Sequence, residues 1–183
     1  MKRVLLLWLA ACATHNTDAA PPIESTAPVP SATASSGDKA PPEMQAILDA
    51  HNRMRAQHCA APLVWSDTVA RAAKSWVTHL AASCQLQHSQ TPYGENISGG
   101  SPSTQTPEGV VNLWYREKAA YDFRAGGFSM STGHFTQVVW RDSRRLGCAT
   151  ASCGGLQLWV CNYDPPGNMQ GDFQRNVLPT TCR

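Results

Sequence analysis

Between residues 43 and 163 the period of the apolar positions changes several times, and each change predicts an element. Ile47, Leu48, His51, Met54 and Arg55 recur at three- and four-residue steps, one face of a helix over about 43–58. His51 lies within that stripe, which suits a buried, hydrogen-bonded structural imidazole. Pro62-Leu63-Val64-Trp65 is an extended lead-in, after which Ser66 or Asp67 caps a second helix running to about Ser83. Val69, Ala73, Trp76, Leu80 and Cys84 form its stripe, with Trp65 and Trp76 expected in the core. From Gln85 to Gln105 the period is lost, which predicts a long loop whose first half, rich in ordering residues, is functional. Pro107 opens a third helix to about Phe123, with Val110, Leu113, Trp114, Glu117 and Tyr121 on one face. Gly133 to Ser143 then puts an imidazole, His134, at the entrance to the short apolar run Val138-Val139-Trp140, and Thr136 and Gln137 are placed to satisfy free amides of a helical turn. Leu146–Ala151 and Leu156–Tyr163 read as strands joined by a Gly154-Gly155 turn, and Asp164-Pro165-Pro166-Gly167-Asn168 stops the second.

The ends differ from this body. Residues 1–12 have Lys2 and Arg3 ahead of the apolar run Val4 to Leu9, then Ala10-Ala11-Cys12, a signal-peptide pattern too short to span a bilayer. Leu9-Ala10-Ala11-Cys12 resembles a bacterial lipobox, which implies diacylglycerol on the Cys12 thiol; the alternative is an ordinary signal peptide with a chance cysteine. Residues 13–42 contain no aromatic residue and are dominated by Pro, Ala, Ser and Thr, so they cannot bury enough surface to fold and predict a tether. One domain is left, residues 43–183.

Charge excludes one class of partner. The chain has 15 Lys and Arg, of which Lys2 and Arg3 belong to the leader, so 13 basic face 13 acidic residues in the rest. No basic stripe points to nucleic acid. Seven cysteines are more informative. With Cys12 set aside, Cys59, Cys84, Cys148, Cys153, Cys161 and Cys182 suit three disulfides in an exported domain, the connectivity left open. A zinc site from Cys148, Cys153 and Cys161 is disfavoured because no C-x-x-C pair occurs.

Four residues carry candidate chemistry: His88, Glu95, Glu117 and His134. Two imidazoles can hold a divalent transition ion and leave positions open, while two carboxylates can orient them, bind the ion or move a proton. Taken singly, His134 at a helix start is more often structural, and Glu117 on an apolar stripe is costly unless paired, metal-bound or turned to solvent by register drift.

Gly133 to Ser143 and Leu158 to Met169 resemble two signatures of the CAP superfamily, which comprises cysteine-rich secretory proteins, antigen 5 and pathogenesis-related 1 proteins. His51-Asn52-Arg53-Met54-Arg55 and Gly94-Glu95-Asn96-Ile97 agree with it, in the family's order, over about residues 44–172. The resemblance implies an α+β fold, a three-layer α/β/α sandwich of the CAP (SCP) type with a small central sheet. It also implies a cleft in which His88 and His134 bind zinc or another divalent ion beside Glu95 and Glu117. Lipid or sterol binding, or a protein partner, follows from the same family. The family's pairing implies Cys84 with Cys153 and Cys148 with Cys161, which leaves Cys59 for Cys182. Plant members carry cysteines just before the His134 position; Arg124 to Thr132 has none. No cysteine-rich module follows in the chain, so ion-channel block of the venom type is not implied.

The functional expectation is a ligand-binding or interaction module in the bacterial cell envelope, lipid-anchored through Cys12 or secreted. Ala13 after Cys12 resembles outer-membrane sorting. The alternative is a metal-assisted peptidase or esterase using Glu95 and Glu117. No Gly-x-Ser-x-Gly or His-Glu-x-x-His pattern occurs, and Ser89, Ser98 and Ser101 carry no independent nucleophile signal, so the reading leans away from an enzyme.

Overall fold

The structure is a computed structural model and describes residues 38–181. The expected signal segment, Cys12, most of the tether and Cys182 lie outside the described residues.

The first helix, α1 (Pro42–Gln57), starts on a proline whose missing N–H costs nothing there, and it buries Ile47, Leu48, Ala50, His51 and Arg55. A two-residue strand β1 (Val64–Trp65) leads into α2 (Asp67–Ser83), whose cap is the Ser66 hydroxyl accepting from the Val69 amide. The remaining elements are β2 (Gly94–Gly100), α3 (Pro107–Arg116), a 3₁₀ turn over Glu117–Ala120, α4 (Gly133–Val139), β3 (Arg145–Cys153), β4 (Leu156–Asp164) and the short α5 (Phe173–Asn176).

The four strands form one sheet in the order β1-β3-β4-β2, with β1 parallel to β3 and the other pairs antiparallel. Side chains alternate across it with period two. Leu158 and Val160 of β4, Ala149 and Cys153 of β3 and Ile97 of β2 pack with Ala73, Val77 and Leu80 of α2. Trp159, Cys161 and Tyr163, with Leu146 and Cys148, face the other way into the larger core built with α1, α3 and α4. Helices therefore cover both faces of a small sheet, the α/β/α arrangement expected. Gly147 sets the distance of α2: a Cβ there would stand 2.1 Å from the Ala70 nitrogen. Gly154 and Gly155, both at positive φ, close the β3–β4 hairpin as expected.

Four expectations need correction. The stretch from Gln85 to Gln105 is not all loop, because β2 lies inside it and pairs along its whole length with β4. Its sequence, Gly-Glu-Asn-Ile-Ser-Gly-Gly, has one large apolar residue and so no visible alternation. Trp76 is only partly buried; its indole N–H donates to the Gln87 carbonyl (2.8 Å), and Val77 takes the core position. The third helix ends at Arg116 and continues only as the 3₁₀ turn. Leu113 is exposed, and Val111 is buried in its stead.

Disulfides join Cys84 to Cys153 and Cys148 to Cys161. The first ties the left-handed cap of α2 to the end of β3; the second is a directly opposed pair on β3 and β4. Cys59 is also disulfide-bonded, and the partner expected for it, Cys182, lies outside the described residues.

Candidate functional site

The site is organised by α4, a helix of seven residues that is too short to be stable alone. Its N-terminal amides are not capped by Thr136 or Gln137, as the sequence suggested. Glu117, arriving from the end of α3, accepts from the amides of His134 (3.0 Å) and Phe135 (3.1 Å) through Oε2. A carboxylate at this end also complements the helix dipole. Its Oε1 accepts from His134 Nδ1 at 2.6 Å. Glu117 is thus paired, which removes the cost of a carboxylate on an apolar stripe.

The other end of α4 is held by Arg55, which is fully buried. Its guanidinium donates to the carbonyls of Val138 (3.0 Å), Trp140 (2.7 Å) and Ser143 (3.0 Å), and its Nε to Ala61 (2.9 Å). Burial lowers its pKa to about 10. Thr136 and Gln137 serve the loop after β4 instead: the Thr136 hydroxyl meets Asn168 Oδ1 (2.6 Å), and Gln137 Oε1 accepts from the Gly167 amide (2.9 Å). Asn168 Nδ2 returns a bond to the Gly133 carbonyl (2.9 Å). With both ends and one side fixed, the His134 ring lies nearly parallel to that of Trp114, centroids 6.1 Å apart.

A second imidazole–carboxylate pair forms at β2. His88 Nδ1 donates to Glu95 Oε1 at 2.8 Å, and Ser89 adds its amide (2.9 Å) and its hydroxyl (2.6 Å, to Oε2). The His88 side chain is 61% exposed while Glu95 is 6% exposed, so the carboxylate is an internal anchor and the imidazole its solvent-facing end. The bond to Glu95 holds the proton on His88 and raises its pKa, against partial burial. Burial pushes the Glu95 carboxyl up, but the bonds from His88 and Ser89 outweigh it and leave the pKa below the ordinary value.

The structure therefore brings His88 to Glu95 and His134 to Glu117. Asn96, next to Glu95 on β2, links the pairs, because its Nδ2 donates to the His134 carbonyl (3.1 Å). The same amide donates to the Tyr163 hydroxyl (3.1 Å), which in turn meets His51 Nε2 (2.8 Å). His51 Nδ1 donates to the Ile47 carbonyl (2.7 Å), so its Nε2 lone pair accepts the tyrosine hydrogen. Among the described residues no group of three or more His, Cys, Asp and Glu is arranged to hold a metal ion.

In each pair the carboxylate must accept, so Nδ1 carries the hydrogen and the lone pair is on Nε2. Neither Nε2 has a hydrogen-bond partner among the described residues. This donor set suits a transition ion held by two imidazoles with carboxylates orienting them. Sequence reasoning missed Arg55, Asn96, Tyr163 and Asn168 as parts of the site. Arg55 on an apolar stripe signals that partners must exist, but carbonyls more than 80 residues away carry no side-chain signature.

The family model described as the cysteine-rich secretory protein (CAP) family matches residues 48–163. Pathogenesis-related protein 1A of Nicotiana tabacum is 45% identical over 131 residues, covering 70% of this chain and 78% of the relative. Pathogenesis-related protein 1 of Arabidopsis thaliana is 44% identical over 133 residues, covering 71% and 81%. Among solved structures, the crystal structure of NaASP2 with Zn2+ superimposes with a TM-score of 0.60 at 23% identity, covering 80% of this chain and 90% of that one.

Proposed function

The chain belongs to the cysteine-rich secretory protein (CAP) family, and from that premise we propose that its domain is an exported binding module whose His88 and His134 take a divalent transition ion, zinc above all. The observation that carries this reading is the matched state of the two imidazoles. Each has Nδ1 tied to a carboxylate and Nε2 uncommitted, the arrangement that raises ligand basicity at metal sites. Glu95 and Glu117 act as orienting groups. The larger ligand of the module is a lipid or sterol, or a protein partner.

Hydrolysis by the same residues is disfavoured. Glu95 already accepts three hydrogen bonds and its pKa is lowered, which makes it a poor base. The Ser89 hydroxyl donates to Glu95, so no imidazole activates it. Ser98 is buried, and Ser101 bonds Ser103.

Calorimetric titration of the full chain with zinc tests the reading. Binding is expected near neutral pH, at least tenfold weaker in His88→Ala or His134→Ala and absent in the double variant. It weakens as pH falls, because Glu95 favours the imidazolium form of His88, whose Nε2 proton must leave before metal binds there. Unchanged zinc affinity in the double variant would overturn the assignment.

The proposal also includes a lipid anchor at Cys12, in a bacterial envelope, on the strength of Leu9-Ala10-Ala11-Cys12 behind an apolar run. Cys12→Ala is expected to move the protein from the membrane to the soluble fraction. A mature N-terminus well beyond residue 12 rules the anchor out.

A further inference from the structure

A cavity that shares no side chain with the two imidazole–carboxylate pairs lies between the loop after β2 and the outer face of α3. It has a volume of about 480 Å³ and is lined by Ser103, Thr104, Gln105, Asn112, Leu113 and Arg116, among others. Arg116 stands three residues after Leu113 and four after Asn112, so it borders both on the helix surface. Val110, Val111 and Trp114 on the opposite side fix that face outward by filling the core. The loop is equally fixed. Thr106 caps α3 by accepting from the Gly109 amide (3.0 Å), and the Gln105 carbonyl accepts from the Trp159 indole (2.8 Å).

Three lining groups have polar capacity that the protein leaves unused. Gln105 is only 6% exposed, yet its Oε1 has no hydrogen-bond partner. Its amide reaches over β2 because residue 100 is glycine; a Cβ there would stand 3.0 Å from Gln105 Nε2. A buried amide left half-satisfied is costly unless something else pairs with it. Asn112 and Arg116 have no hydrogen bond or ion pair among the described residues. Arg116 is the only charged side chain in the lining, which contains no carboxylate.

The chemistry of the lining selects a ligand. Hydroxyls and carboxamides both donate and accept, which suits a ligand rich in hydroxyl groups. Leu113, 47% exposed, supplies an apolar strip for the C–H face of a ring. One guanidinium fork matches one carboxylate. A phosphorylated ligand calls for more than one cation, and no aromatic ring lines the cavity to stack a nucleobase. The volume falls within the roughly 300–1,000 Å³ of small-molecule sites. We propose that this cavity is a carbohydrate subsite for a short acidic oligosaccharide, its hydroxyls on Gln105, Asn112 and Ser103 and one uronate carboxylate on Arg116.

The probe is trigalacturonic acid, titrated into the isotopically labelled full chain and followed by amide NMR, with neutral galactotriose as control. Saturable shifts are expected at the side-chain amides of Gln105 and Asn112 and along Ser103 to Arg116. Arg116→Gln is expected to weaken trigalacturonate at least tenfold and to leave galactotriose unchanged. Both replaced side chains are exposed, so Arg116→Gln and Asn112→Ala keep the fold, which circular dichroism checks. The double variant His88→Ala/His134→Ala is expected to bind the trisaccharide as the wild type does, so this test does not share its failure with the metal reading. Absence of saturation in the millimolar range, shifts confined to the His88 and His134 region, equal displacement by inorganic phosphate, or wild-type affinity in Arg116→Gln would each overturn the assignment.

Discussion

Taken singly, His134 read as structural, and it was the resemblance to the CAP superfamily that set His88 and His134 in one cleft with Glu95 and Glu117. What each would bond was not visible. Glu117 and His134 are 17 positions apart and meet only because α3 ends early and the 3₁₀ turn after it aims Glu117 at the start of α4. His51 was legible as a buried imidazole, and the structure adds how it is held, between the Ile47 carbonyl and the Tyr163 hydroxyl. Burial lowers its pKa from 6.5 to about 4. A base whose folded pKa is depressed stays neutral in the fold while the unfolded chain takes up a proton. Its contribution to stability is complete above pH 6.5 and is lost as pH falls toward 4. The loss at the bottom of that window is ~3 kcal/mol. His58, lowered by burial, adds to it with the same sign. His88 has the opposite sign, since its raised pKa gives stability below the ordinary imidazole value that is lost as pH rises through the folded one; its exposure keeps that contribution small. Urea unfolding at pH 7, 5.5 and 4 is expected to show a steady fall in free energy, steepest between the unfolded and folded pKa values of His51, where the unfolded chain is protonated and the folded one is not. A flat profile would mean that His51 is protonated as readily inside as outside.

At the scale of elements, periodicity predicted α1 and α2 closely and the hairpin of β3 and β4 within two residues at each end. It failed at β2 and at the end of α3 for different reasons. β2 is an edge strand, and Glu95 and Asn96, which bond the two histidines, stand among its glycines, so the alternation that marks a strand is missing. Tyr121 is buried as the pattern suggested, but the helix ends at Arg116 and the chain tightens at Glu117, whose carboxylate caps α4. Packing distance was equally hidden, since nothing in Leu-Gly-Cys marks Gly147 as the floor beneath α2. A Cβ at Gly147 would stand 2.1 Å from the Ala70 nitrogen and 2.5 Å from the Val69 carbonyl carbon, all backbone that no rotamer change can move. Gly147→Ala is therefore expected to lift the first turn of α2 and destabilise the domain by at least ~3 kcal/mol. That loss lowers the melting temperature by several degrees. A thermal scan of the variant checks this, and an unchanged melting temperature would show that α2 is free to slide.

At the scale of the whole domain, the sheet order β1-β3-β4-β2 was inaccessible from the sequence alone, because only the β3–β4 neighbours are joined by a short turn. The Cys84–Cys153 and Cys148–Cys161 bridges act on this topology at different ranges. Cys84–Cys153 spans 69 residues and fastens the helix on one face to the end of the sheet, whereas Cys148–Cys161 spans 13 and lies within one hairpin. Restricting the unfolded chain gives ~4 kcal/mol for the long loop and ~3 kcal/mol for the short one. The effect on the unfolded state differs more than these values suggest. Without the long bridge, the 69-residue loop that carries β2, α3, α4 and β3 is no longer closed between Cys84 and Cys153, so the denatured chain expands and exposes more surface. Without the short bridge only a hairpin opens. The slope of unfolding free energy against urea scales with the surface exposed. Cys84→Ala/Cys153→Ala is therefore expected to lose ~4 kcal/mol and to unfold with a steeper urea dependence than the wild type. Cys148→Ala/Cys161→Ala is expected to keep the wild-type slope, and its stability loss includes the sulfur volume of two buried positions. Equal slopes in the two double variants would show that the long bridge does not restrict the unfolded chain, and that its stabilising effect lies in the native contact between α2 and β3.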